Sequence, residues 1–119
     1  MTLSQNDTPP NESGFPTMPN LSAVADAFKA LDDETRLRIF WLLRDGEKSV
    51  GEIAALMKMS CPAVCHHLKQ LKIGGLLISR RDGKEVYYTK AQTTRTNLLC
   101  LTIEGLIKLG SETSASSLR

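Results

Sequence analysis

Two thiols, two imidazoles and an amine stand close together in Ser60-Cys61-Pro62-Ala63-Val64-Cys65-His66-His67-Leu68-Lys69-Gln70-Leu71. On a helix, residues four apart share a face, so Cys61 and Cys65 lie one turn from each other. Three chemistries suit such a pair. Each thiol can be a small neutral residue tolerated at a surface. The pair can be a thiol switch, because a helix N-terminus with basic groups nearby favours the reactive anion of Cys61. Cys61 and Cys65 can also act as soft ligands for a metal ion or arsenic(III), with His66 or Cys100 as further donors. Cys100 alone reads as a buried interface residue. Catalysis is disfavoured: adjacent Cys65 and His66 point about 100° apart on a helix, and no Gly-rich phosphate loop or carboxylate pair accompanies them. The chain reads as a binding protein, with no enzyme activity expected.

The elements that carry these residues follow from local signals. Ser60 is a preferred N-cap and Pro62 falls in the first turn, where its missing N–H costs nothing. Val64, Leu68 and Leu71 form a buried stripe, which leaves Cys61, Cys65, His66 and Lys69 outward. His67 is expected to face the protein. Gly74-Gly75 stops the helix, with Gly74 suited to the left-handed position. Upstream, Ser49-Val50-Gly51-Glu52 matches a capping box, so another helix runs to about Lys58, with Ile53, Leu56 and Met57 inward. Two short helices across so tight a turn read as a helix-turn-helix.

Leu76–Arg81 and Glu85–Thr89 are strand-like, and Asp82-Gly83 between them signals a hairpin. A lone hairpin is marginally stable, so this one must pack through Leu77 and Tyr87 or their neighbours. Arg80, Arg81 and Lys84 cluster at its tip. Further back, Leu21–Leu31 has helical spacing with Ser22 as a cap, and Asp33 caps a helix from Glu34 to about Arg44. Arg95–Leu109 carries too many apolar residues for one core stripe, and the same helix of a second copy is the expected cover. The fold class is mainly α with a β-hairpin wing, five helices in all. Residues 1–20, with four of the five prolines, are expected to be a disordered tail, 21–109 the folded domain, and 110–119 a flexible tail.

The 119 residues suit one domain. Net charge is only +2, yet Lys58 to Lys90 holds seven bases against two acids, an excess suited to a polyanion. No apolar run is long enough for a bilayer and no export signal opens the chain, which places it in the cytoplasm with free thiols. A winged-helix module that binds protein instead of DNA would keep this architecture, but would have no use for the charged wing tip.

Ala30-Leu31-Asp32-Asp33-Glu34-Thr35-Arg36-Leu37-Arg38-Ile39, the Ser60–Lys69 run and Arg81-Asp82-Gly83-Lys84-Glu85-Val86-Tyr87-Tyr88 resemble the ArsR/SmtB family of winged-helix repressors over about Leu21 to Leu109. The resemblance implies a homodimer joined through its first and last helices, bound to an inverted repeat in double-stranded DNA and released by an inducer, often a metal ion. Of the family's metal sites, one needs two cysteines flanking a valine, where this chain has Ser49 and Gly51 around Val50. The other matches Gln92, Thr94, Gly105 and Lys108, none a good ligand. Cys61 and Cys65 stand where the family more often has Gln and Ser on the reading helix. The expected DNA contacts are Ser60, Cys61, Ala63, Cys65 and His66 in the major groove, with Lys69, Arg80, Arg81 and Lys84 on the backbone or in the minor groove. No resident cofactor is expected unless a soft metal ion binds the cysteines.

Overall fold

The computed structural model describes residues 18–117, with side-chain exposure for 20–111. Most of the expected N-terminal tail, residues 1–17, and the final two residues lie outside the described residues. Five helices and three short strands follow in the order α1 (Met18–Ala30), α2 (Glu34–Leu42), β1 (Lys48–Ser49), α3 (Val50–Met57), α4 (Cys61–Ile73), β2 (Leu77–Asp82), β3 (Glu85–Lys90) and α5 (Thr94–Ser117).

Both terminal helices are longer than the residue pattern suggests. α1 begins at Met18, so Ser22 lies inside the helix instead of capping it. Pro19 sits in the first turn, where a proline loses no intrahelical hydrogen bond. α5 continues past Leu109 to Ser117, because Gly110 and the serines beyond it lower helix propensity without forbidding the helix.

Three helices of the middle of the chain are tied by side chains at their starts. Asp33 accepts a hydrogen bond from the Arg36 N–H at 3.0 Å and caps α2. At α3 the capping box is complete: Ser49 Oγ accepts from the Glu52 N–H at 3.1 Å, and Glu52 Oε1 accepts from the Ser49 N–H at 2.8 Å. Ser60 Oγ accepts from the Ala63 N–H at 3.3 Å at the head of α4. α5 repeats the device with hydroxyls, the Thr93 and Thr96 side chains each accepting from the other's backbone N–H at 3.2 Å.

The core gathers Ile39, Phe40 and Leu43 of the α2 region, Ile53, then Val64, Leu68 and Leu71 of α4, and Leu76, all fully buried. Leu56, expected inward, is 58% exposed, and Ala54 is buried in its place. The short α3 turns its small residue inward because α3 and α4 pack closely there.

The wing is a three-stranded antiparallel sheet in the order β1-β3-β2, not a bare hairpin. Lys48 and Ser49 pair with Tyr88 and Tyr87, so the residues that cap α3 also extend the wing. The turn is also displaced: Asp82 pairs with Glu85, leaving Gly83-Lys84 as the loop. Gly83 has φ of +65° and Lys84 does not, the pattern of a II′ turn that glycine at the first position favours. Leu77 is buried and Tyr88 packs on the core, whereas Tyr87 is half-buried beneath Arg80.

Candidate nucleic-acid interface

α4 is held from both ends and from one side. Lys58 takes the left-handed conformation (φ 56°, ψ 47°) at the end of α3, and the chain reaches the Ser60 cap two residues later. At the other end Gly74 is right-handed, and Gly75 carries the positive φ of +80°. The Leu76 N–H donates to the Leu71 carbonyl at 3.0 Å and the Gly75 N–H to the Lys72 carbonyl at 2.9 Å. That is a Schellman motif, completed by burial of Leu71 and Leu76 together. The left-handed residue is therefore Gly75, not Gly74. Gly74 has a different use: a Cβ there would come within 2.6 Å of the Ala30 Cβ, so its lack of a side chain lets α1 and α4 approach.

With Val64, Leu68 and Leu71 buried, the opposite face of α4 exposes Cys61, Cys65, His66 and Lys69, with Ser60 exposed at its start and Ala63 half-buried between. No acidic residue occurs from Ile53 to Arg81. The face therefore carries amines and neutral polar groups with no carboxylate of its own to repel a phosphate.

The wing arginines divide. Arg80 is held: its Nε and Nη2 donate to the two carboxylate oxygens of Glu47 at 2.6 and 2.8 Å, and its guanidinium lies 4.6 Å from the Tyr87 ring centre. This bidentate hydrogen bond to Arg80 holds the Glu47 carboxyl below the usual carboxylate range and raises Arg80 in turn. Arg81 and Lys84 are exposed and form no ion pair among the described residues. The sequence placed all three at the tip as equal cations. Glu47, 33 residues from Arg80, carries no local signal of this pairing. A second link was equally unforeseen: Lys72 Nζ donates to Ser79 Oγ at 2.7 Å and ties α4 to β2.

His67 faces the protein, as its position predicts. Its Nδ1 is buried without a hydrogen-bond partner and lies 4.0 Å from Asp33 Oδ2 at the α2 cap, while its ring meets the His66 ring edge-on at 5.6 Å. The Asp33 carboxyl titrates below its ordinary value, chiefly because it accepts the Arg36 N–H.

The three cysteines occupy two environments. Cys61 and Cys65 are exposed on α4, and Cys100 is half-buried on α5 against the core with Leu99 and Ile103. Burial pushes the Cys100 thiol above its ordinary value. Burial does the same to Tyr88, with a smaller contribution from the Cys65 thiol. Among the described residues no three His, Cys, Asp or Glu side chains converge as a metal would require. The proposed set of Cys61, Cys65 and Cys100 is thus not assembled within one chain.

No described helix is long and apolar enough to cross a membrane. Residues 33–79 match the model of the family described as bacterial regulatory protein, arsR family. The chain is 35% identical over 79 residues to the HTH-type transcriptional regulator KmtR of Mycobacterium tuberculosis, covering 65% of this chain and 61% of that one. It is 44% identical over 64 residues to the arsenic resistance transcriptional regulator ArsR2 of Pseudomonas putida, covering 53% and 56%. The matches thus span somewhat more than half the length of these relatives. Among solved structures, the homodimeric winged helix-turn-helix DNA-binding domain Mb0332 of Mycobacterium bovis (fragment 1–100) is 30% identical with a TM-score of 0.69, over 85% of this chain and 88% of that one.

Proposed function

The chain belongs to the ArsR family of bacterial regulatory proteins, and on that premise we propose that it is a homodimeric transcriptional repressor that reads an inverted-repeat operator. The observation that carries the reading is the acid-free exposed face of α4, capped at Ser60, beside a wing whose Arg81 and Lys84 have no acidic partner among the described residues. A recognition helix presents its N-terminal residues to base edges, which assigns Ser60, Cys61, Ala63, Cys65 and His66 to the major groove. Lys69, Arg81 and Lys84 contact phosphates. Arg80 serves mainly to fix the wing through Glu47. The dimer forms through α1 and α5, where Leu21, Val24 and Phe28 of one helix and Leu98 and Leu106 of the other are exposed. Contiguous apolar surface of that kind marks an interface.

The experiment is operator binding by gel shift with the DNA upstream of the protein's own gene, repeated across salt concentrations. In the homodimer Arg81→Ala and Lys84→Ala each lose one phosphate contact per protomer, two per operator complex, so each lowers the log–log salt slope by about two. Unchanged slopes in both variants sink the wing assignment. A protein-binding module without an operator would show no salt-sensitive shift at all.

The inducer acts on the thiols of α4. This second step is favoured by one feature: Cys61 and Cys65 are both exposed, a turn apart, on the face that reads DNA. Peroxide converts one thiolate to a sulfenic acid and is itself reduced to water; the second thiol then condenses with it, forming a disulfide and releasing a second water. A disulfide at that spacing strains or unwinds the first turn of α4. A soft ion such as arsenic(III), bridging the same two sulfurs, is the alternative, and it would compete with DNA for the same surface. Peroxide and arsenite are each titrated against operator binding in the wild type and in a Cys61→Ser/Cys65→Ser double variant. Equal sensitivity of the two proteins removes both thiol readings.

A further inference from the structure

A groove of about 490 Å³ lies between α2, α3 and the second half of α5, and operator reading makes no use of it. That volume is within the range of small-molecule sites, which run from roughly 300 to 1,000 Å³ and combine apolar walls with a few polar groups. Trp41 and Met57 help form the lining, and Leu56 of α3 and Ile107 of α5 flank it at 58% and 53% exposure.

Charge narrows the occupant. Arg38 and Arg44 line the groove and no acidic residue does. The Arg44 guanidinium stacks 4.0 Å from the Trp41 ring centre, donates to the Trp41 carbonyl at 2.7 Å, and has Asp45 at 3.6 Å. Arg38 is exposed and forms no ion pair among the described residues. A second copy of the chain is a poorer fit. Ile107 is nine residues beyond Leu98, about 180° round α5, and although Ile103 borders both this groove and the apolar cavity shared with α1, it is the two arginines that single out an anion as the occupant.

We propose that this groove binds a small amphipathic organic anion, an aromatic or medium-chain carboxylate, with its apolar body on Trp41 between Leu56 and Ile107 and its carboxylate on Arg38. The site does not depend on operator reading. It would let a bound molecule bridge α3, which packs on the reading helix, to α5.

Trp41 is the only tryptophan, so its fluorescence reports the groove directly. The full chain is titrated with decanoate, decanol and decylamine below their aggregation limits. Decanoate should give a saturable change in emission and bind about tenfold or more tightly than decanol, the margin of a charge-assisted hydrogen bond. Decylamine should bind more weakly still. Arg38→Gln, with unchanged circular dichroism and melting, should erase the preference for decanoate over decanol, and Leu56→Glu should weaken both. The proposal is overturned by the absence of a saturable change with decanoate, by equal binding of decanoate and decanol to the wild type, or by a preference that survives Arg38→Gln. Emission that responds to protein dilution and not to decanoate would mean that a second copy covers the groove, and would also overturn it.

Discussion

α4 and α5 are both apolar-rich helices, and they are completed in opposite ways. α4 buries Val64, Leu68 and Leu71 entirely and turns a polar face outward, so its own chain satisfies it. α5 packs Leu99, Cys100 and Ile103 on the core but leaves Leu98, Leu101, Leu106 and Leu109 more than half exposed. Burial of a leucine or isoleucine is worth about 1.5–3 kcal/mol. The second helix therefore leaves several such contributions unclaimed within one chain. α4 is a finished surface for reading, and α5 is an unfinished one for assembly.

Two substitutions separate these roles. Leu68→Ala removes a fully buried side chain from the stripe of α4 and should cost about 2–5 kcal/mol, read by denaturant titration at any protein concentration. Phe28→Glu, at a position 61% exposed on α1 and facing the cavity beside Leu99 and Leu106, should leave the protomer folded. It should abolish the rise of melting temperature with protein concentration that an assembling wild type displays. If Phe28→Glu melts as the wild type does at every concentration, α1 and α5 are not the assembly surface. If Leu68→Ala instead loses the concentration dependence, the contrast between the helices is wrong.

Smaller effects probe how each element starts. Ser49→Ala removes one half of the α3 capping box and should lower stability by about 1 kcal/mol in the same titration. The capping residues Asp33, Ser49 and Ser60 were all legible in the sequence, because a cap is a local event: a short polar side chain bonds a backbone N–H three residues on. The buried stripe of α4 was legible for the same reason, since helical period alone selects Val64, Leu68 and Leu71. What escaped was non-local or depended on close approach. Gly74 and Gly75 are interchangeable as letters, and only the contact of α1 with α4 assigns one to packing and the other to the left-handed turn. Lys48-Ser49 is too short to announce a strand, and joins the sheet only because β3 lies beside it. Arg80 read as a free cation because its partner, Glu47, is brought to it by that same third strand. The familiar family ligands were missing from their places by residue type alone, whereas the separation of Cys100 from the α4 thiols needed the fold.

The Glu47–Arg80 pair is the finest test, because it distinguishes a wing arginine that anchors from one that contacts phosphate. Its bidentate hydrogen bond keeps Glu47 charged to lower pH in the folded protein than in the unfolded chain. A carboxylate whose folded value is depressed contributes stability that is complete above its unfolded value and is lost as pH falls through the folded one. Both groups are solvent-exposed, so the effect on global unfolding is small. The readout is therefore local: the protection of amides in β2 and β3, taken relative to the unfolded chain at the same pH, should fall in the wild type as the pH is lowered through the acid range of Glu47. Glu47→Gln should exchange faster already at neutral pH and show less of this acid response. At neutral pH the substitution releases the Arg80 charge while loosening the strand that carries it. If Arg80 only anchors, Glu47→Gln weakens operator binding with no change in salt slope. If the freed guanidinium of each protomer reaches a phosphate, the slope steepens by about two, and Arg80 then belongs with Arg81 and Lys84.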